Sequence, residues 1–277
     1  MTFRFSHAVA TVFVSAALAL GLTSPSAAQE STWDQVKKSG KLRAGVVDYP
    51  PYWYREKGTD KWVGAMVEMA EDIAKTMGVE LVNVDTGGWG QTVLHLNSNK
   101  TDLQIGLVAT PQRAMAIDFA GPVYWLGWTT INSKAFNATN WGDYNKPNVR
   151  IAVMAGSADE QVTKQVAPKA QHIRLKELSD IILAVTAGRA DALVTTVMTT
   201  MIEKNKNPDL GILNYPQPNV AMPGYIGVRM ETDQRFQKFL QKWGEWNVNM
   251  GYNEERFRRH LAAAGVTEIP ESVRFSR

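Results

Sequence analysis

The order of apolar segments constrains this chain most, because one alternation of strand-like and helix-like runs occurs twice. The first pass places strands at 42–47, 79–84 and 102–108, with helices at 65–77 and 91–97 between them. The second pass places strands at 149–154, 173–175 and 192–196, with helices from 157 and at 179–187. A β-α-β-α-β order predicts parallel strands with helices on the faces of the sheet. The sequence therefore predicts two α/β units.

Local punctuation supports these boundaries. In the helix at 65–77, Met66, Met69, Ile73 and Met77 recur on one face, and Gly78 ends it. Two β-like stretches, 129–131 and 225–228, lie just outside the second unit and suit two strands that connect it to the first. Helices are also predicted at 33–39, 236–246 and 254–263.

Composition excludes several kinds of chemistry. The 277 residues include no cysteine, which rules out disulfides, thiolate metal sites and cysteine nucleophiles. The four histidines are not at metal-ligand spacing, so neither a metal nor another cofactor is expected. The formal net charge of +3 comes without a basic run, and nucleic-acid binding has no support.

The N-terminal segment predicts export. Arg4 supplies a positive start, residues 8–22 form an apolar run, and Ser26-Ala27-Ala28 offers small residues for cleavage. The run is shorter than the roughly 20 residues of a spanning helix, so it fits a signal peptide at 1–28. The mature chain is expected to be free in the periplasm.

The order and spacing of several segments resemble the periplasmic solute-binding proteins of polar-amino-acid ABC transporters, the bacterial extracellular solute-binding protein family 3. The segments include GKLRAGVVDYPPYWY (40–54), TDLQIGLVATPQRAMAIDFAGPVYWLG (101–127) and AGRADALVTT (187–196). The resemblance implies a two-lobe type II periplasmic binding fold, each lobe a mostly parallel sheet with flanking helices. Residues 29–130 with 221–277 would form one lobe and residues 131–220 the other, with ligand in the cleft between them.

The resemblance assigns a carboxylate site to the first lobe. Arg113 in TPQR would grip the carboxylate, and a guanidinium offers the planar two-pronged donor that such a group needs. Gly106, Val108 and Thr110 match positions that present backbone and side-chain groups to the ligand. Val108 departs from the Ser or Thr usual in the family, so one hydroxyl is lost.

Further positions complete the expected site. Ser157 and Ala158 follow Gly156 at the start of a helix, where free backbone N–H groups favour an anion. Ser157 can equally be only the helix cap. Tyr49 and Trp89 match an aromatic clamp on the ligand side chain, although a core role for Trp89 is an alternative; Tyr52, Trp53 and Tyr124 are weaker candidates.

Thr196 is the largest departure, because the family has an aspartate there that pairs with the ligand's α-ammonium group. Met66 likewise replaces a frequent acidic residue. Either Asp48, Asp159 or Glu160 supplies the missing charge, or the ligand's amine is absent, distant or modified. A ligand with a carboxylate and an aromatic or apolar body is expected.

The predicted function is the ligand-capturing component of an ABC importer for an amino acid or related small carboxylate. The protein would act as a monomer and deliver its ligand to an inner-membrane permease. A dehydratase-like periplasmic enzyme on the same fold is the first alternative, and a ligand-sensing domain is the second. An enzyme needs an acid or base in the cleft, and His95 and His172 lie outside the matched positions, so catalysis is not expected.

Overall fold

The strands of each predicted unit pair in parallel. The structure is a computed structural model that describes residues 30–269, so the predicted signal peptide at residues 1–28 lies outside the described part. The described strands are β1 (Lys41–Val46), β2 (Tyr54–Arg55), β3 (Trp62–Val63), β4 (Glu80–Asp85), β5 (Leu103–Leu107), β6 (Asp118–Asn132), β7 (Arg150–Met154), β8 (Gln171–Leu175), β9 (Ala192–Thr196), β10 (Ile212–Asn214) and β11 (Ala221–Val228).

Helices alternate with most of these strands along the chain. A single 3-10 turn at Trp89–Gln91 precedes α3. The described α-helices are α1 (Thr32–Ser39), α2 (Ala65–Met77), α3 (Thr92–Asn97), α4 (Pro111–Ala114), α5 (Trp141–Tyr144), α6 (Ala158–Val166), α7 (Leu178–Thr186), α8 (Val197–Lys206), α9 (Arg235–Asn249) and α10 (Tyr252–Ala263).

The strand order is that of a two-lobe α/β fold. The order β4-β1-β5-β11-β6-β9-β7-β8 places the parallel strands β4, β1 and β5 at one end and β9, β7 and β8 at the other. We call the elements around β4, β1 and β5 lobe 1, and the elements around β9, β7 and β8 lobe 2. The residue boundaries predicted for the lobes stay a prediction.

Two long antiparallel strands join the lobes. β6 and β11 pair with each other, β11 also pairs with β5 of lobe 1, and β6 also pairs with β9 of lobe 2. The sequence predicted connecting strands only at 129–131 and 225–228. Gly121, Pro122 and Gly127 interrupt the local strand pattern in β6, so the pairing with neighbours, rather than local propensity, extends it.

In each parallel group, an arginine–aspartate pair links the strand that comes first along the chain to the start of the strand that comes third. In lobe 1 the Arg43 guanidinium lies 2.5 Å from Asp102, and in lobe 2 the Arg150 guanidinium lies 2.7 Å from Asp191. Each aspartate also accepts the backbone N–H of its arginine. Both lobes therefore have the same arginine–aspartate pair near the amino ends of their strands. The carboxyl ends of the strands remain free for a site.

Candidate functional site

A cavity lies where the carboxyl ends of strands from both lobes meet, and its space, open solvent included, is about 360 Å³. Five of its lining side chains are aromatic, and four others carry a charge or a hydroxyl that the sequence singled out. The lining residues are Tyr49, Tyr52, Met66, Trp89, Gly106, Arg113, Tyr124, Leu126, Trp128, Ser157, Ala158, Asp159 and Thr196.

Chain order explains why these residues meet. Tyr49 follows β1, and Arg113 follows β5, both in lobe 1. Ser157 follows β7, and Thr196 ends β9, both in lobe 2. In open α/β sheets the loops after the carboxyl ends of the strands form the binding crevice. The fold therefore brings the carboxyl ends of the lobe 1 strands and those of the lobe 2 strands to opposite sides of one cavity.

Arg113 is a buried guanidinium without a carboxylate partner. It is 7% exposed and donates from Nη1 to the carbonyl of Val108 (3.2 Å) and from Nη2 to the carbonyl of Gly156 (3.1 Å). Burial alone lowers the pKa of Arg113 to about 10, and no acidic side chain of residues 30–269 forms an ion pair with it. A guanidinium has five N–H donors, so donors remain for an anion.

The start of α6 lies opposite Arg113, since Arg113 bonds the Gly156 carbonyl. The Ser157 side chain caps α6 by accepting the N–H groups of Asp159 and Glu160, as one interpretation of the sequence predicted. The Gly156 N–H donates to Glu160 (2.8 Å), and the Ser157 N–H to Met154 (3.3 Å). In the described segment this leaves the Ala158 N–H without an acceptor, at the positive end of a helix.

Asp159 is the carboxylate of the cavity. It is 3% exposed and accepts hydrogen bonds from Tyr49 Oη (2.8 Å), Trp128 Nε1 (2.8 Å) and Thr195 Oγ1 (3.1 Å). The Tyr49 and Thr195 hydroxyls also contact each other. Burial raises the pKa of Asp159 to about 6, although these donors oppose the rise. Within the described part of the chain no cation pairs with this carboxylate.

The sequence also offered Asp48 and Glu160 as sources of the missing charge, and neither of them lines the cavity. Glu160 forms ion pairs with Lys164 (2.5 Å) and Arg174 (2.7 Å), and it does not line the cavity. Asp48 is exposed and borders two surface depressions instead. The sequence did not predict Trp128 as a site residue. The local pattern of β6 does not distinguish a side chain that faces the cavity from one that faces the core.

The aromatic residues form walls rather than an open clamp. Tyr49 and Trp89 pack edge to face with centroids 5.9 Å apart, so a ring cannot lie between them in this arrangement. Tyr52 stacks on Tyr49 at 5.4 Å, and Tyr124 lies 5.9 Å from Tyr52. Trp53, a weaker candidate, is fully buried, directs its N–H toward the Ile105 carbonyl and does not line the cavity.

The predicted lobe 1 positions within β5 and just after it divide into residues that line the cavity and residues that do not. Gly106 lines the cavity with a φ of +101°, and a Cβ there would lie 2.8 Å from the Met66 methyl group. Val108 and Thr110 do not line it. The Val108 carbonyl holds Arg113, and the Thr110 hydroxyl caps the short α4 by accepting the Arg113 N–H. These two residues position the arginine, and neither faces the cavity.

Thr196 lines the cavity but its hydroxyl is already engaged. Oγ1 accepts the hydroxyl of Tyr52 (3.0 Å) and the N–H of Thr199 (3.4 Å), which makes Thr196 the N-cap of α8. Sequence reasoning missed α8, because its threonines have modest helix propensity. Thr196 therefore serves the fold and the contact between lobes.

Direct contacts cross from one lobe to the other around this cavity. Besides Tyr49–Asp159, Tyr52–Thr196 and Arg113–Gly156, the Thr199 hydroxyl donates to the Pro50 carbonyl (2.8 Å). A Cβ on Gly156 would lie 2.7 Å from the Cα of Gly90, so these two backbones are in contact. The lobes are closed on one another.

Comparisons with known proteins agree with this architecture. Residues 42–139 match the family described as bacterial extracellular solute-binding proteins, family 3. A cyclohexadienyl dehydratase of Pseudomonas aeruginosa is 26% identical over 263 residues, which cover 93% of this chain and 95% of that protein. A glutamine-binding protein of Geobacillus stearothermophilus is 26% identical over 60% of this chain and 64% of its own length.

A solved structure extends the likeness to the whole fold. The crystal structure of an ancestral amino-acid-binding protein, a precursor of cyclohexadienyl dehydratase, has a TM-score of 0.74 and 26% identity, covering 84% of this chain and all of that one. The fold and site thus define a two-lobe solute-binding protein. Over residues 42–139 the chain is similar to the bacterial extracellular solute-binding proteins, family 3.

No group of three or more histidine or acidic side chains in residues 30–269 is arranged to hold a metal ion. Over the same residues, every helix is too short or too polar to cross a bilayer.

Proposed function

We propose that this protein is the periplasmic binding component of an ABC importer and captures an amino acid or related small carboxylate between its lobes. The observation that carries the proposal is Arg113, a buried guanidinium with unused donors and no acidic partner among the described residues. A charge in this position is costly unless an anion joins it. A ligand carboxylate that spans Arg113 and the Ala158 N–H supplies that anion.

Ligand binding is tested with a panel of small carboxylates, each paired with its methyl ester. A ligand that binds only the native protein raises its melting temperature by mass action. Acids are expected to raise it and their esters are not, because the ester lacks the charge that Arg113 requires. Equal shifts for an acid and its ester would contradict a carboxylate site at Arg113.

Export and delivery to a permease are the further parts of the proposal. The predicted signal peptide supports export, and cleavage after Ala28 should leave Gln29 as the first residue. Mass spectrometry of periplasmic protein checks this, and an intact Met1 on membrane-bound material would contradict it. The ligand would then be handed over by a monomer to an inner-membrane permease.

A second candidate function follows from Asp159. The sequence offered Asp159 as one of three acids that could supply the missing charge, and Asp159 lines the cavity with a pKa raised to about 6. A dehydratase needs an acid that protonates a departing hydroxyl group, and such a pKa suits proton donation near neutral pH. The likeness to cyclohexadienyl dehydratase extends over 95% of that enzyme's length.

Turnover decides between binding and catalysis. A hydroxylated cyclohexadienyl carboxylic acid is incubated with the protein, and loss of water is followed by the absorbance of the aromatic product. If the protein is an enzyme, wild type turns over and Asp159→Asn does not. If it is a binder, the acid is recovered unchanged after its binding has been measured.

A further inference from the structure

The Asp159 carboxylate has a charge to offer but few free lone pairs. Its Oδ2 accepts from Tyr49 and Thr195, and its Oδ1 accepts from Trp128, at 2.8–3.1 Å. A carboxylate has about four lone-pair sites, so three are taken by these donors. The negative charge itself is uncompensated, since in the part of the chain that is described no Lys, Arg or His forms an ion pair with Asp159.

The hydroxyl acceptors on the cavity wall are occupied as well. Thr196 Oγ1 accepts from Tyr52 and from the Thr199 N–H. Ser157 Oγ accepts two backbone N–H groups of α6 and donates to the Met154 carbonyl. A primary ammonium group brings three N–H donors, and each donor left unpaired after burial costs free energy.

Aromatic faces supply a different kind of cation site. Tyr49, Tyr52, Trp89, Tyr124 and Trp128 line the same cavity and are all at least nine-tenths buried. Ring faces attract cations electrostatically, and aromatic cages with a low-dielectric interior recognise quaternary ammonium groups. A methylated ammonium group needs no hydrogen-bond acceptor, and its methyl groups bury apolar surface against the rings.

We infer that the ligand is a betaine, a carboxylate that also carries a fully N-methylated ammonium group. The carboxylate is bound by Arg113, and the methylated cation lies near Asp159 among the aromatic walls. This inference rests on the proposed function, because it assumes that Arg113 binds a carboxylate. It also specifies the modified amine that the Thr196 substitution left open.

Three ligands of related shape separate hydrogen bonding from charge. Glycine has an ammonium group with three N–H donors, glycine betaine has a trimethylammonium group, and 3,3-dimethylbutanoate replaces that group with an uncharged tert-butyl group of the same shape. Isothermal titration is expected to rank glycine betaine first, at least tenfold tighter than 3,3-dimethylbutanoate, with glycine weakest. Repeating the pair with proline and N,N-dimethylproline should give the same preference.

The Asp159→Asn variant tests which residue makes the distinction. Asparagine keeps the shape and can still accept from Trp128, but it removes the charge. Glycine betaine should then bind at least tenfold more weakly, while 3,3-dimethylbutanoate keeps its affinity and reports that the variant is folded. The matched control is Asp48→Asn, an exposed acid outside the cavity, which should leave all affinities unchanged.

Each contrary outcome has a separate meaning. If glycine or proline binds as tightly as its methylated partner, the inference is wrong and the proposed function stands. If 3,3-dimethylbutanoate matches glycine betaine, or if Asp159→Asn preserves the ranking, the cation does not lie at Asp159 and the inference is wrong. If no carboxylate of any kind binds, both the inference and the proposed function fall.

Discussion

At the scale of single residues, two buried charges define the site. Arg113 and Asp159 are 7% and 3% exposed, and neither forms an ion pair within residues 30–269. Proteins seldom bury charges without partners, because the desolvation cost is large. The lowered pKa of Arg113 and the raised pKa of Asp159 both have burial as their largest cause. We therefore propose that Arg113 receives an anion and Asp159 a cation.

Substitution of Arg113 should separate charge from geometry. Arg113→Ala should weaken carboxylate binding by about 2–5 kcal/mol, as expected for truncation of a buried charged contact. Arg113→Lys keeps the charge but not the planar pair of donors, so an intermediate loss is expected. Calorimetric titration measures both, and exposed Arg189→Ala is the control. An unchanged affinity in Arg113→Ala would remove this residue from the site.

The Asp159 carboxyl should make stability depend on pH. Its pKa is 3.8 in the unfolded chain and about 6 when folded, so the folded state holds the proton more tightly. The resulting contribution to the free energy of unfolding is fully present below pH 3.8 and is lost as the pH rises through about 6. The total loss is roughly 3 kcal/mol. The titratable side chains that interact with it are Tyr49, Tyr52 and Tyr124, which stay neutral in this range.

Urea denaturation at pH 4 and pH 7.5 measures this effect. Asp159→Asn has no charge at either pH, so the variant should gain stability relative to wild type between pH 4 and pH 7.5. Exposed Asp180→Asn is the control for removing a carboxyl group at the surface. A wild-type and Asp159→Asn difference that is equal at both pH values would contradict the buried, unpaired carboxylate.

At the scale of elements, sequence periodicity predicted the parallel core and missed what pairing alone creates. The strands at β1, β4, β5, β7 and β9 were predicted within one or two residues. Most of β6, the β2–β3 hairpin, β10 and α8 were not, because their residues favour no element strongly and neighbouring strands or caps decide. Of the site, the sequence placed Arg113, Gly106 and Ser157 in the cavity and left Asp159 as one of three acids.

The contact of Gly156 with Gly90 offers a test of closure at one turn. An alanine at 156 would lie 2.7 Å from the Gly90 Cα, so Gly156→Ala should keep the lobes apart and weaken binding at least tenfold. Its φ of +72° adds strain of about 1–2 kcal/mol. Gly188→Ala is the matched control, since it has a φ of +69° and nothing within 4 Å.

Calorimetry on both glycine variants distinguishes the two effects. Each should lose a similar amount of thermal stability, because the backbone strain is similar. Only Gly156→Ala should lose affinity. Equal affinities in the two variants would mean that this backbone contact has no part in ligand binding.

At the scale of the whole molecule, two lobes joined by β6 and β11 predict hinge closure. Solution scattering should show a smaller radius of gyration after a saturating ligand is added to wild type. Gly156→Ala, with the same ligand, should contract less. A radius that stays constant while calorimetry shows saturation would contradict closure by movement of the lobes.

The contact of Arg113 with the Gly156 carbonyl joins the residue that we propose binds the solute to the opposite lobe. Both charged residues are almost fully covered in this closed arrangement, so the proposed solute would enter and leave by separation of the lobes. Its residence time is then governed by the rate at which the lobes separate. Under the proposed function, a membrane partner that pulled the lobes apart would shorten that time without touching the solute, so tight capture and rapid unloading would be compatible in one molecule.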